Sequence, residues 1–225
     1  MVTIIPSFPP KNIADFEAKF YKVAGLCDRV QIDIVDGVYA PEKTIGPEEL
    51  SRVDTIVNLE AHLMVDEPAE WVERVVRGGF MGAYGQMEKM SDPVKFLADG
   101  QVAGLKMGLA LEVETDVAKL EPYIWDVDGV LLLAVRGGDS GREFDPRVLP
   151  KIAEVRKMRR DVNICVDGGL NVENIKKCIV AEWAEEIRED DLNKDFLGIE
   201  FAVGSQLFEA EDVPNKLEML RHLTL

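Results

Sequence analysis

Cysteine is scarce in this chain, and its few copies do not pair by spacing. Cys27, Cys165 and Cys178 are three in number and form no Cys-x-x-Cys motif. A disulfide framework or a thiolate zinc site is therefore not expected, and a reducing, cytoplasmic setting is. Cations are also short. The 26 Lys and Arg residues stand against 42 Asp and Glu, a formal net charge of −16. A surface of that sign repels nucleic acid and anionic membrane, so neither is an expected partner. No apolar run reaches the roughly 18 residues that cross a bilayer. Residues 1–6 have no basic start and too short an apolar run for a signal peptide, so none is expected. A Gly-x-Gly-x-x-Gly turn is missing where the first apolar run ends, at Pro6-Ser7-Phe8-Pro9-Pro10. That argues against an open, doubly wound nucleotide-binding sheet.

What the chain has is alternation. Strand-like runs fall at residues 2–7, 29–35, 58–65, 80–87, 106–111, 129–135, 163–167 and 198–203. Longer amphipathic segments separate them. Residues 68–76 start on Pro68 and carry Trp71, Val72, Val75 and Val76 as one stripe, with Gly78-Gly79 suited to a left-handed cap. Residues 146–158 repeat the pattern with Val148, Leu149, Ile152, Val155 and Met158. Strands that alternate with crossover helices pair in parallel, and eight of them close a (β/α)8 barrel, the TIM-barrel fold of the α/β class. A chain of 225 residues suits one such domain, residues 1–225 together.

Barrel strands alternate side chains between lumen and helix layer. In Gln31-Ile32-Asp33-Ile34 the isoleucines face the helices, so Gln31 and Asp33 face the lumen. In Glu60-Ala61-His62-Leu63-Met64 the same parity turns Glu60, His62 and Met64 inward. In Ile164-Cys165-Val166-Asp167 it leaves Asp167 inside, at the carboxyl end of its strand. Active sites of such barrels lie at that end. Ser7, Gln31, Asp33, His62 and Asp167 should therefore converge. Two carboxylates, an imidazole and the Gln31 carbonyl are enough donors for a divalent metal, with zinc favoured and manganese, iron or magnesium as alternatives. The competing reading is that each polar residue merely caps a strand end.

Gly168 and Gly169 leave the seventh strand, and Gly204 and Ser205 leave the eighth. Loops at those two places form the usual phosphate site of this architecture, where glycines let backbone N–H groups approach the anion. A third glycine-rich segment, Arg136-Gly137-Gly138-Asp139-Ser140-Gly141-Arg142, follows the sixth strand and reads as a lid or as a plain connection.

At these residues the sequence resembles the ribulose-phosphate 3-epimerase family, nearly end to end. The resemblance rests on Ile5-Pro6-Ser7, on Ile32-Asp33-Ile34-Val35-Asp36-Gly37 followed by Thr44-Ile45-Gly46-Pro47, on Ala61-His62-Leu63-Met64-Val65, on Val166-Asp167-Gly168-Gly169 and on Val203-Gly204-Ser205. It implies a metal-dependent inversion at C3 of a ketopentose 5-phosphate, with Asp33 and Asp167 as acid and base on opposite faces of the sugar. It implies a divalent metal on Asp33, His62 and Asp167, with Gln31 where the family has its other metal-binding histidine. Ser7, Met64, Gly138, Gly168, Gly169, Gly204 and Ser205 would contact the sugar phosphate. The implied partners are that phosphosugar and further copies of the chain.

The chain departs from the family's pattern at several places. Val35 and Leu133 stand where methionines usually cover the sugar, and Gln86-Met87-Glu88 where strand four usually has a histidine. Asp139 and Ser140 lie in the strand-six segment. The stretch 181–197 is longer and more charged than usual. Its Glu182-Trp183-Ala184-Glu185-Glu186-Ile187 has helical character, against a solvated loop as the alternative. A phosphosugar-binding member without turnover is the second functional reading. A sugar-phosphate decarboxylase is disfavoured, since Glu60-Ala61-His62 lacks that group's strand-three lysine.

Overall fold

A computed structural model describes residues 2–135, 137, 143–183 and 198–223. Its eight strands are β1 (Thr3–Phe8), β2 (Arg29–Val35), β3 (Asn58–Met64), β4 (Gly82–Gln86), β5 (Lys106–Leu111), β6 (Gly129–Leu133), β7 (Asn163–Asp167) and β8 (Glu200–Val203). They pair in parallel in sequence order and close, β8 against β1, as a barrel. The boundaries lie within a few residues of those read from the apolar runs.

The alternation places side chains as parity requires. Ile32, Ile34, Ala61, Leu63, Ile164 and Val166 are buried in the layer between strands and helices. The lumen holds a smaller apolar plug of Ile5, Tyr84, Ala110, Leu131, Leu133, Cys165 and Ala202. Polar residues fill the rest of the lumen above and below that plug.

The helices are α1 (Ile13–Phe20), α2 (Val72–Arg77), α3 (Pro93–Val102), α4 (Val148–Met158), α5 (Val172–Trp183), α6 (Ser205–Phe208) and α7 (Val213–Arg221). Four start on side-chain caps: Asn12, Asp92, Asn171 and Asp212 accept backbone N–H bonds from Asp15, Lys95, Asn174 and Asn215. The stripe on α4 faces inward, with Val148, Ile152 and Val155 buried and Leu149 and Met158 packed against the same core.

Two expectations need correction. The segment from Pro68 is a 3-10 turn through Trp71 before α2 begins at Val72, and Val76 is 41% exposed instead of joining the stripe. Trp71 is half-buried, with the Arg74 guanidinium 3.8 Å over its ring. Gly79 takes the left-handed conformation, at φ 75°. The β2–β3 and β5–β6 crossovers contain the 3-10 turns Pro47–Arg52 and Val117–Leu120 in place of α-helices. Pro122 lies just beyond the second turn and has no N–H with which to continue it. Of the stretch 181–197, Ala181, Glu182 and Trp183 end α5; residues 184–197 lie outside the described residues.

Candidate active site

Strand register sets the site. Ser7 pairs with Gln31 across β1–β2, and Asp33 pairs with His62 across β2–β3, so side chains of one parity rise together into the lumen. Asp167, last residue of β7, comes in from the far side. Gln31 and His62 are fully buried.

The contacts are dense. The Gln31 amide nitrogen lies 2.7 Å from Asp167 Oδ2, 3.0 Å from Asp33 Oδ1 and 3.1 Å from Ser7 Oγ, sharing its two N–H donors among three acceptors. Ser7 Oγ donates to Asp33 Oδ2 at 3.0 Å. His62 Nδ1 lies 3.3 Å from Asp33 Oδ1 and 3.5 Å from Asp167 Oδ2. Burial pushes the Asp167 carboxyl up and the charge of Asp33 adds to that, with the contacts from His62 and Gln31 opposing. Burial works against the imidazolium of His62, but Asp167 and Asp33 outweigh it and raise its pKa to about 9.

Spacing decides whether this donor set fits a metal. Asp33, His62 and Asp167 each offer one ligand atom, and these lie within 4.8 Å of one another. Four donors at about 2.1 Å in a tetrahedron are roughly 3.4 Å apart. The 3.3 and 3.5 Å separations from His62 Nδ1 match that spacing and are long for direct hydrogen bonds. The three residues fit a divalent metal. Gln31, expected to offer its carbonyl, turns its nitrogen toward the carboxylates instead.

Above this cluster opens a cavity of about 430 Å³. Ser7, Asp33, His62, Met64, Asp167, Gly168, Gly169, Gly204 and Ser205 all line it, with Val35 and Leu133 on its apolar wall. Gln31 lies beneath its floor. Gly168 and Gly169 have φ of 105° and 60°, a region that favours glycine. A Cβ on Gly169 would stand 2.5 Å from the Phe144 backbone nitrogen, so no side chain fits there. Gly138, Arg136 and Arg142 lie outside the described residues.

Sequence reasoning missed two features. Lys11, Lys19 and Lys22 line the same cavity. Their approach depends on how α1 packs beside β1, which no spacing reveals. Glu112, just past β5, ties separate loops: the Gly137 N–H donates to its Oε1 at 3.0 Å and its Oε2 at 3.1 Å, and the Tyr39 hydroxyl donates to Oε1. Glu88 Oε1 in turn accepts the Glu112 N–H at 2.9 Å. Gln86, at the strand-four position, is buried among these wall residues, its nitrogen donating to Glu88 and to the Ala110 carbonyl.

Comparisons with known proteins bear on the family and the fold. The model of the ribulose-phosphate 3 epimerase family matches residues 3–185. The chain is 32% identical over 189 residues to a ribulose-phosphate 3-epimerase of Bacillus subtilis, covering 80% of this chain and 87% of that one. It is 29% identical over 230 residues to one of Mycobacterium bovis, covering 97% and 91%. Among solved structures, KGPDC from Streptococcus mutans superposes with a TM-score of 0.68 at 12% identity, covering 97% of this chain and 95% of that one. Phosphoribosyl anthranilate isomerase from Thermotoga maritima gives 0.64 at 17%, covering 99% and 100%. These structural likenesses speak to the barrel fold. The length of the family match and the level of identity speak to descent, and the chain belongs to the ribulose-phosphate 3-epimerase family.

Proposed function

We propose that this barrel inverts C3 of a ketopentose 5-phosphate by proton transfer between two carboxylates. The observation that carries the reading is the shared grip on Asp33 and Asp167. They come from strands on different sides of the lumen, yet one amide nitrogen and one imidazole nitrogen contact both at the cavity floor. A sugar lying over them meets one carboxyl group on each face. One carboxylate removes the C3 proton, the other acid delivers a proton to the opposite face, and the roles swap in the reverse direction. Burial and the charge of Asp33 favour the protonated form of Asp167, which suits a pair sharing one proton.

The glycine-lined rim from Gly168 and Gly169 to Gly204 and Ser205 suits the phosphate, with backbone N–H groups as donors. Lys11 and Lys22 line the same cavity and add positive charge to it, while Lys19 is paired with Asp15. Ser7 and the apolar wall of Met64, Val35 and Leu133 hold the sugar and exclude water. Asp33, His62 and Asp167 would hold a divalent metal, zinc by its preference for such nitrogen and oxygen donors, which would supply electrophilic stabilisation of developing negative charge. The enzyme works in the cytoplasm on this reading, in keeping with its three unpaired cysteines. A relative from Oryza sativa, 30% identical, is named a cytoplasmic isoform.

The test is solvent deuterium incorporation at C3 of ribulose 5-phosphate, with zinc, manganese, iron or magnesium supplied. Wild type should exchange, and Asp33→Asn and Asp167→Asn should not. Undiminished exchange in an Asn variant would rule out the acid/base pair. No exchange in wild type with any of the metals would leave the second reading, a phosphosugar-binding barrel without turnover.

A further inference from the structure

Among the described residues, three buried side-chain atoms have no hydrogen-bond partner: Gln31 Oε1, Glu60 Oε1 and His62 Nε2. Buried polar atoms rarely go unpaired, and unpaired groups gathered in one place point to something that binds there. These three belong together by topology. Gln31 and Glu60 are register partners on β2 and β3, and His62 follows Glu60 by two residues on the same strand. All three face the lumen. Same-face neighbours across a strand pair have Cβ atoms about 5 Å apart, and along a strand they are about 7 Å apart. Side chains of this length bring their ends within reach of one small molecule.

The donors and acceptors decide what that molecule is. Gln31 Oε1 and Glu60 Oε1 both need a donor. With Nδ1 facing the two carboxylates and its lone pair given to the metal they share, His62 carries its ring proton on Nε2, which needs an acceptor. Water has two donors and two lone pairs, and about three bonds is the usual number for a buried water. A direct Glu60–Gln31 bond would require Glu60 to carry the proton and would still leave Nε2 unpartnered. The other Glu60 oxygen is already engaged, 3.3 Å from Arg29 Nη1.

We propose that one enclosed water joins Gln31 Oε1, Glu60 Oε1 and His62 Nε2, and that Glu60 acts through it as a positioning residue. The water holds the Gln31 carbonyl pointing away from the metal position and the amide nitrogen pointing at Asp33 and Asp167. Gln31 is then a donor to the metal's ligands and not itself a ligand. The same water accepts the Nε2 proton of His62 and so leaves Nδ1 as the coordinating nitrogen. Second-shell contacts of this kind orient metal-binding histidines, and losing one commonly costs 10–100-fold in metal affinity. The proposal rests on reading Asp33, His62 and Asp167 as a metal site.

The test is a crystal structure of the zinc-soaked full chain together with zinc titrations against a competing chelator. A solvent peak within hydrogen-bond distance of all three atoms, with no Gln31 atom bonded to zinc, is the expected result. A site without that peak, or with Gln31 Oε1 bonded to zinc, overturns it. In titration, Glu60→Leu should weaken zinc binding at least tenfold relative to Glu60→Gln, which keeps an acceptor for the water while removing the same charge beside Arg29. A smaller gap between the two overturns the role of Glu60. None of these readouts uses sugar turnover. A failed exchange assay leaves this proposal standing, and a zinc-bound Gln31 leaves the epimerase reading standing.

Discussion

The upper and lower halves of this barrel's lumen are both polar, yet they are built on opposite principles. Below the apolar plug, Arg29 lies between Glu60 and Glu200, and Asn163 donates to Glu200 at 2.7 Å. Charge there is answered by charge, with Glu60 Oε1 alone left open toward Gln31 and His62, and none of these groups lines the cavity. Above the plug, Asp33 and Asp167 have no lysine or arginine among the contacts described, only an amide, a hydroxyl and an imidazole. A buried charge that answers itself is structural. Two carboxylates that share one imidazolium, under an open cavity, can trade its proton for a metal.

That contrast is sharpest in what each half loses when broken. Asp33→Asn or Asp167→Asn should cut deuterium exchange at C3 by about 10²–10⁴-fold, the usual contribution of a positioned acid or base. Thermal denaturation of the same variants should show only a small change in stability at neutral pH, because the repulsion relieved between the carboxylates offsets the partner lost by His62. A marked fall in stability would make the upper half structural as well.

Arg29→Met should do the reverse. It strands Glu60 and Glu200 without their cation and should cost about 3–5 kcal/mol in urea denaturation. Exchange per folded molecule should fall far less than in the Asn variants. A loss of exchange as large as theirs, at full stability, would erase the distinction between the halves.

The pH dependence of stability separates them further. Burial first, then the neighbouring Glu200, raises the Glu60 carboxyl from an ordinary 4.5 to about 7, against the pull of Arg29. The folded state therefore keeps this proton longer than the unfolded chain does. Stability from this group is fullest below about 4.5 and declines as pH rises toward about 7. His62, raised from 6.5 to about 9, extends the decline from about 6.5 to about 9. Urea midpoints of the metal-free protein measured from pH 4.5 to 9 should fall across both windows, and Glu60→Gln should flatten the first. A midpoint that rises across the Glu60 window in wild type contradicts the burial of that carboxyl.

The smallest effect belongs to the wall above the site. Tyr39→Phe removes one donor to Glu112 and should cost about 0.5–1.5 kcal/mol of stability. Its Michaelis constant should change more than its turnover number, since Gly137, held by the same Glu112, lines the cavity. A turnover number that fell alone would place Tyr39 nearer the chemistry than this geometry does.

Much of this was legible in the chain. Period-two alternation in β2, β3 and β7 determined which residues enter the lumen, because one step of slip would turn Ile32, Ile34, Leu63 and Val166 inward and strand the polar set among the helices. Eight apolar runs separated by amphipathic stretches pointed to a closed parallel barrel. The glycines after β7 marked a turn that side chains could not fill. The 3-10 crossovers were harder to read, since a few residues' difference between a tight turn and a helix depends on how much room the neighbouring strands leave.

Other features were decided only by the tertiary structure. Parity says that Gln31 enters the lumen, but which end of its amide meets Asp33 and Asp167 depends on acceptors contributed by β1, β2 and β7 together. The lysines on the cavity rim, the Tyr39–Glu112–Gly137 link and the Glu60 pairing with Arg29 each join residues distant in the chain. Local sequence fixes the direction of a side chain relative to its own backbone. Its partner, and with it the charge it carries, is set by what the closed barrel brings to within about 3 Å.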